Sequence, residues 1–159
     1  MPIPRAPYDD TEFHNPLSMT YSQALYDFVA KEEGLILHAY DDGGGTLTIG
    51  YGHTANVHDG EHISDEQATA YLHADLDAAA RLVRCCVTVP LRQTQFDALT
   101  SFTFNVGGGA LIRSTLLKKL NKQDYAGADH EFLKWVNVRG KEMLGLKRRR
   151  AREAELFAS

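Results

Sequence analysis

Two carboxylates and a hydroxyl in the stretch from Glu33 to His53 are of the types needed to cut a glycosidic bond. Glu33 ends a helical pattern, Asp42 precedes three glycines, and Thr48 falls in the alternating run that follows them. Alternating runs on both sides of a glycine cluster predict a β-hairpin. Such a hairpin would bring the three side chains toward one cleft, where an acid, a second carboxylate and a hydroxyl could hydrolyse a sugar linkage.

Helices on both sides of the hairpin must hold these residues in place. Apolar residues at helical spacing predict one helix over 20–32, which Gly34 ends. A capping box that opens at Ser64 predicts a long helix over about 65–84. The sequence therefore predicts an α+β fold, mostly helical, with its strands confined to one small early lobe.

The chain length suits one domain with two lobes. Residues 1–19 are rich in proline and show no period, so we expect an irregular arm there. The rest, 20–159, should form a single domain in which the long helix joins a small lobe (about 33–63) to a helical lobe (about 91–157). The predicted helix over 20–32 should pack on the helical lobe.

Composition excludes several other classes of protein. The apolar share of 43% supports a core, and no apolar run approaches the roughly 18 residues that a membrane helix needs. The N-terminus lacks the apolar core of a secretory signal. Cys85 and Cys86 are adjacent, and neighbouring cysteines rarely bridge without strain, so we expect reduced thiols. Together these features predict synthesis in a cytoplasm.

Basic residues concentrate near the C-terminus. Gly140 and Gly145 predict a loop before a last helix, Lys147 to Phe157. Seven Lys and Arg residues against one acid give the segment from Arg139 to Arg152 a charge of +6, so the net charge of −4 leaves −10 for the remainder. This asymmetry fits either an anionic partner or a solvated helix face.

Motifs of one enzyme family run through the chain. The family pattern is Glu-Gly, an Asp after eight intervening residues, a Thr after five more, and then Ile-Gly-x-Gly-His. Here the same order stands as Glu33-Gly34, Asp42 and Thr48-Ile49-Gly50-Tyr51-Gly52-His53. Further matches are Gln95-Phe96-Asp97-Ala98-Leu99, Ser101-Phe102, Phe104-Asn105-Val106-Gly107, Ser114-Thr115-Leu116-Leu117, Trp135, Gly145-Leu146, and Arg149-Arg150 followed by Glu153. From about residue 20 to 157, the chain resembles the phage-type lysozymes (glycoside hydrolase family 24).

The resemblance implies a lysozyme-like fold and muramidase activity, which is hydrolysis of the β-1,4 bond between N-acetylmuramic acid and N-acetylglucosamine, with inversion and without a cofactor. It implies that Glu33 protonates the leaving oxygen, that Asp42 acts on the attacking water, and that Thr48 helps to place that water. A solvated turn suits a base that must stay ionised, and a hydroxyl can both donate to and accept from a water. Asp41 lacks the family spacing and is expected to be a solvated or structural carboxylate.

Three further residues are expected to support the site without taking part in the reaction. Arg149 resembles a family arginine that pairs with the catalytic glutamate, although Arg148 and Arg150 leave the register open by one. Asn105 resembles a position that lines the sugar cleft and also fits a helix C-terminal cap. His53 is expected to close the hairpin through a hydrogen bond.

The residues also permit other functions. Histidine is a common zinc ligand, and three histidines lie close together in the sequence, at His53, His58 and His62. Their spacing matches no standard ligand motif, so we expect no metal site. A lytic transglycosylase would need the acid but no activated water, and the presence of both Asp42 and Thr48 argues against it. A non-catalytic peptidoglycan-binding module would be expected to lack the acid or the base.

The resemblance also implies a biological setting. An endolysin would be made in the host cytoplasm and would act on peptidoglycan in the periplasm after a holin forms a pore. We expect a monomer that binds no nucleic acid, whose C-terminal basic helix could contact an anionic envelope polymer.

Overall fold

The structure, a computed structural model, describes residues 12–159, which form seven α-helices, one 3₁₀ helix and two small antiparallel hairpins. The helices are a 3₁₀ turn (Pro16–Ser18), α1 (Gln23–Glu33), α2 (Asp65–Cys86), α3 (Gln93–Val106), α4 (Gly108–Arg113), α5 (Thr115–Asn121), α6 (Tyr125–Phe132) and α7 (Leu144–Ala158). The strands are β1 (Ile36–Asp41), β2 (Leu47–Gly50), β3 (Asn137–Val138) and β4 (Lys141–Glu142). The predicted α+β, mostly helical fold is confirmed.

Helix α1 leads directly into the first hairpin. Ser22 caps its start by accepting from the Leu25 amide at 3.1 Å. Gly34 ends it with a φ of 70°, a conformation that residues with a Cβ rarely adopt. β1 and β2 then pair antiparallel, with Tyr40 opposite Thr48. The predicted hairpin is thereby confirmed, and Glu33 lies at the junction between helix and sheet.

The long helix α2 connects the two packing units of the protein. Its predicted capping box is present: Ser64 Oγ accepts from the Gln67 amide at 3.1 Å, and the Gln67 side chain accepts from the Ser64 amide at 2.9 Å. Ala68, near its start, packs in a small cluster with Ile49 and Ile63 beneath the hairpin. Apolar residues farther along belong to the main core, which also contains the buried faces of α1, α3, α5, α6 and α7.

Two sequence expectations for the region after α3 need correction. The strands are not confined to the early lobe, because β3 and β4 form a second hairpin where only a loop was predicted. Its turn residues Arg139 and Gly140 have φ of 52° and 77°. A two-residue turn of this kind favours Asn or Gly at its first position. Because Arg139 occupies that position, the sequence lacks the usual signal for a hairpin turn. Helix α7 also begins earlier than predicted, at Leu144, because the Lys147 amide already bonds to the Met143 carbonyl at 3.0 Å.

The expected N-terminal arm is described only in part, since residues 1–11 lie outside the described residues. His14 exchanges backbone hydrogen bonds of 2.8 and 2.9 Å with Leu91. Asn15 caps the short 3₁₀ turn, and the Met19 side chain is buried in the main core. Residues 14–19 therefore pack on the helical body.

Within residues 12–159, none of the helices combines the length and apolar character that crossing a membrane would require.

Candidate active site

Glu33, the last residue of α1, is held by an arginine from the other end of the chain. Its Oε1 accepts from Arg149 Nη1 at 2.6 Å, across 116 positions of sequence. The Arg149 side chain is 6% exposed and that of Glu33 is 21% exposed, so the ion pair is largely shielded from solvent. Of the three consecutive arginines, the structure therefore places Arg149 against Glu33.

Behind this pair lies a buried polar network. Glu153 is fully buried and accepts from Arg149 Nε at 3.3 Å, from Ser101 Oγ at 2.7 Å, and from Arg150 Nη1. Burial lowers the pKa of Arg150, and the charge of Glu153 opposes that shift. One carboxylate therefore serves two buried guanidinium groups, and one of them holds Glu33.

Removing the charge of Glu153 should destabilise the fold strongly. Glu153→Gln leaves Arg149 and Arg150 buried without this shared carboxylate, and breaking a buried pair costs about 3–5 kcal/mol. Ser101→Ala is the matched control, since it deletes one neutral donor to the same oxygen and should cost about 1 kcal/mol. Chemical denaturation of both variants measures the difference. Equal losses would show that the charge of Glu153 contributes nothing.

Asn105 joins this network from the end of α3. Its Oδ1 accepts from Arg150 Nη2, and Arg150 Nε donates to the Trp135 carbonyl at 3.0 Å. The residue that caps α3 is Gly107, whose amide bonds to the Thr103 carbonyl. The side chain of Asn105 is exposed and lines the cavity described next.

A cavity of about 430 Å³ opens beside Glu33 between the hairpin and the helices. Its lining includes Glu33, Gly52, Asp75, Leu82, Phe104 and Asn105. Neither Asp42 nor Thr48 lines it, so the predicted trio does not share this one cavity. Glu33 is part of the lining, which gives a ligand in the cavity access to the Glu33 carboxylate.

Gly52 sets how closely the chain can approach Glu33. A Cβ built on Gly52 would lie 2.8 Å from Glu33 Oε2, and the φ of Gly52 is 77°. Only glycine provides both the conformation and the space. Arg149 therefore holds one oxygen of Glu33, and the other faces a backbone that carries no side chain.

The Gly52→Ala variant should lose both stability and activity. Backbone strain at a positive φ costs about 1–3 kcal/mol, and the added methyl would displace the Glu33 carboxylate. Gly60→Ala is a close control, because Gly60 has the same φ of 77° with nothing within 4 Å of its Cβ position. We expect thermal destabilisation in both variants, larger in Gly52→Ala, and a loss of lytic activity only in Gly52→Ala. Full activity in Gly52→Ala would contradict the steric argument.

Asp42 lies in the aspartate loop, residues 41–46, which begins at the last residue of β1 and leads into β2. Its Oδ1 accepts from the amides of Gly44 at 2.8 Å and Thr46 at 3.3 Å. Asp41 Oδ1 does the same with the amides of Gly43 at 2.7 Å and Gly45 at 3.1 Å. Both aspartates are exposed, so each holds the loop in shape while its carboxylate remains in contact with solvent.

Thr48 and Tyr40 face each other across the hairpin. Thr48 is 5% exposed and its hydroxyl donates to the Thr46 carbonyl at 3.3 Å. Burial raises the pKa of the Tyr40 hydroxyl, and the negative charges of Glu33 and then Asp42 raise it further. Both carboxylates are therefore near this phenol. No sequence motif pointed to Tyr40, whose only distinguishing feature in the sequence is its position two residues before Asp42.

His53 anchors the hairpin to α2. Its backbone amide and carbonyl both bond to Ile49 at 2.9 Å. Its Nδ1 lies 2.8 Å from Asp75 Oδ2, and its ring stacks on Tyr71 with centroids 4.3 Å apart. The side chain thus ties the end of the hairpin to the connecting helix.

Neither the histidines considered as metal ligands nor the basic residues near the C-terminus form a single cluster. Within residues 12–159, no three His, Cys, Asp or Glu side chains form a group that could hold a metal ion. In the basic segment, Arg149 and Arg150 are buried, Arg152 pairs with Glu32, and Lys147 pairs with Glu142. Four of the seven basic side chains of the segment are therefore either buried or paired with an acidic side chain.

The matching family model is that of phage lysozyme, and it spans residues 30–153. The chain belongs to the phage lysozyme family. It is similar to the endolysin of Acyrthosiphon pisum secondary endosymbiont phage 1, with 45% identity over 82% of this chain and 92% of the relative. It is also similar to the SAR-endolysin of Escherichia phage Mu, with 38% identity over 79% and 73% of the two chains.

A solved structure agrees with this membership. The muramidase domain of SpmX from Asticaccaulis excentricus superposes with a TM-score of 0.81 and 35% identity, covering 88% of this chain and 98% of that one. The expected lysozyme-like fold is thus confirmed. As a phage lysozyme, this protein is a glycosidase that acts in host lysis.

Proposed function

We propose that this phage lysozyme hydrolyses the β-1,4 bond between N-acetylmuramic acid and N-acetylglucosamine in peptidoglycan, with inversion at the anomeric carbon. The main support is the setting of Glu33. Arg149 fixes its Oε1, and Gly52 leaves its Oε2 beside the cavity. A carboxyl fixed at one oxygen and open at the other is suited to delivering a proton to a bound sugar.

In the proposed reaction, Glu33 gives its proton to the glycosidic oxygen as the bond to the anomeric carbon breaks. Water attacks that carbon from the opposite face of the ring and releases a proton to Asp42. Thr48 Oγ1 donates to the Thr46 carbonyl, so its lone pairs are available to accept from that water. The net change is the addition of one water, with no covalent intermediate.

The exposure of Asp42 supports its part in this scheme. Its Oδ1 accepts from the amides of Gly44 and Thr46, which hold the carboxylate in place at the solvent-exposed loop. Inverting enzymes separate their two carboxyl groups by about 6.5–9.5 Å to admit a water. The proposed inversion requires a separation of this size between Glu33 and Asp42.

The anomeric configuration of the freshly released reducing sugar tests bond, hydrolysis and inversion together. We expect the α-anomer of N-acetylmuramic acid at the new end in an NMR time course begun within seconds of mixing. The β-anomer would exclude inversion. Anhydro ends in the released muropeptides would instead identify a lytic transglycosylase, the competing reaction, which uses an acid but no water.

The proposed route to the wall is synthesis in the host cytoplasm followed by holin-dependent release into the periplasm. The kinship with phage endolysins supports this proposal. Expression with and without a co-expressed holin tests it, since lysis that needs no holin would contradict it.

We also propose a monomer whose contact with anionic envelope polymer is limited to Arg148 on α7, which is exposed and unpaired among residues 12–159. The salt dependence of wall lysis by Arg148→Gln tests that contact.

A further inference from the structure

Two histidines of the small lobe lie directly opposite each other, outside the residues used in the proposed reaction. His38 is in β1, and His62 is in the segment of residues 57–63 that precedes α2. The two residues form an antiparallel bridge, which is flanked by two backbone hydrogen bonds of 2.8 and 2.9 Å between their neighbours in sequence. Since neither histidine donates or accepts within the bridge itself, they are a non-hydrogen-bonded pair.

The side chains of such a pair project from the same face of the backbone. Their Cβ atoms lie about 4.5–5.5 Å apart, at the close end of that range when the pair is not hydrogen-bonded. Both His38 and His62 are exposed, and their ring centroids are 6.2 Å apart with the planes inclined by 42°. Two imidazoles that share one metal ion, each through a nitrogen about 2.1 Å from it, have centroids about 5–6 Å apart. Because the outer torsion of histidine is soft, a small rotation of the rings would bring the pair to that separation.

The ring nitrogens are available for a ligand. His62 Nδ1 lies 3.1 Å from the Gly60 carbonyl oxygen. A carbonyl oxygen can only accept, so this contact places the proton on Nδ1 and leaves the lone pair of Nε2 unused. A backbone carbonyl bound to one ring nitrogen is also the contact that orients histidine ligands in metal sites. Among residues 12–159, the side chain of His38 makes no hydrogen bond or ion pair, so its ring is free to turn.

We propose that His38 and His62 bind one Zn²⁺ ion, which fastens β1 to the segment of residues 57–63. Imidazole nitrogen suits Zn²⁺ and its neighbours among the transition metals, whereas Mg²⁺ and Ca²⁺ prefer oxygen ligands. No third His, Cys, Asp or Glu within residues 12–159 joins the pair, so water would complete the coordination. The glycine cluster separates the two histidines in sequence, and no local spacing motif relates them.

The test titrates the full chain with ZnCl₂. Isothermal titration calorimetry gives Kd and stoichiometry, and thermal melts give the stabilisation. His38→Gln and His62→Gln each remove one ligand, and the double variant removes both. His58→Gln is the matched control, because it removes another exposed histidine from the same segment. MgCl₂ controls for the effect of divalent charge alone.

We expect one Zn²⁺ per chain and a Tm raised by about 5 °C at a Zn²⁺ concentration of about 100 times Kd, with no change from Mg²⁺. Each single variant should weaken Kd about 10²-fold, because the second histidine binds intramolecularly to an ion already held by the first. The double variant should then lose little more than either single variant, and His58→Gln should match wild type.

An unchanged Kd in either single variant would overturn the proposal, as would an equal loss in His58→Gln. Additive losses in the double variant would also overturn it, since they would show that each histidine binds a separate ion. The readouts are binding and melting, so the result does not depend on the reaction proposed above.

Discussion

Glu33→Gln is expected to lower kcat for wall hydrolysis by about 10²–10⁴-fold while leaving the protein folded. The substitution removes the only proton that the proposed acid can deliver to the leaving oxygen. The glutamine carbonyl can still accept from Arg149 Nη1, so a neutral hydrogen bond can replace the ion pair that now spans 2.6 Å. Turbidity loss of peptidoglycan suspensions and reducing-end release measure the change.

Glu32→Gln provides the control for this variant. Glu32 is the preceding residue of α1 and accepts from Arg152 of α7, so it has the same chemistry and a similar helix-to-helix contact. It does not line the cavity. We expect activity within about two-fold of wild type, because an exposed pair contributes little. Comparable losses in the two variants would point to the α1–α7 contact in place of proton delivery.

Asp42→Asn is expected to lower kcat by about 10²-fold or more, because the amide cannot take the proton released by the attacking water. The asparagine Oδ1 can still accept from the amides of Gly44 and Thr46, so the aspartate loop should keep its shape. The same reducing-end assay applies, together with a thermal melt to confirm that the loop and fold survive.

Asp41→Asn is a closely matched control. Asp41 is adjacent, is also exposed, and accepts from two loop amides in the same manner. We expect nearly full activity. Loss of activity in Asp41→Asn with retention in Asp42→Asn would move the proposed base by one residue. Equal losses would show that the aspartates act only by shaping the loop.

Local sequence signals were sufficient for most of the fold. The Ser64 capping box, the helix-ending Gly34 and the alternating runs around the glycines each depend on neighbouring residues, and each predicted its element correctly. Such signals work because caps, turns and amphipathic faces are decided within a few positions. The β3–β4 hairpin was missed because Arg139 accepts a backbone conformation that its side chain disfavours.

The sequence by itself determined the types and order of Glu33, Asp42 and Thr48, since these are fixed by spacing within one helix-to-hairpin segment. Only the tertiary structure decided which arginine meets Glu33. Consecutive residues on a helix point about 100° apart, so the packing of α7 against α3 turns Arg149 toward the glutamate and Arg150 toward Asn105. Arg139 Nη2 lies 3.2 Å, and Asp42 Oδ1 3.3 Å, from the point where a Cβ on Gly44 would stand. This proximity is likewise a long-range consequence of packing, because no local pattern relates residues almost 100 positions apart.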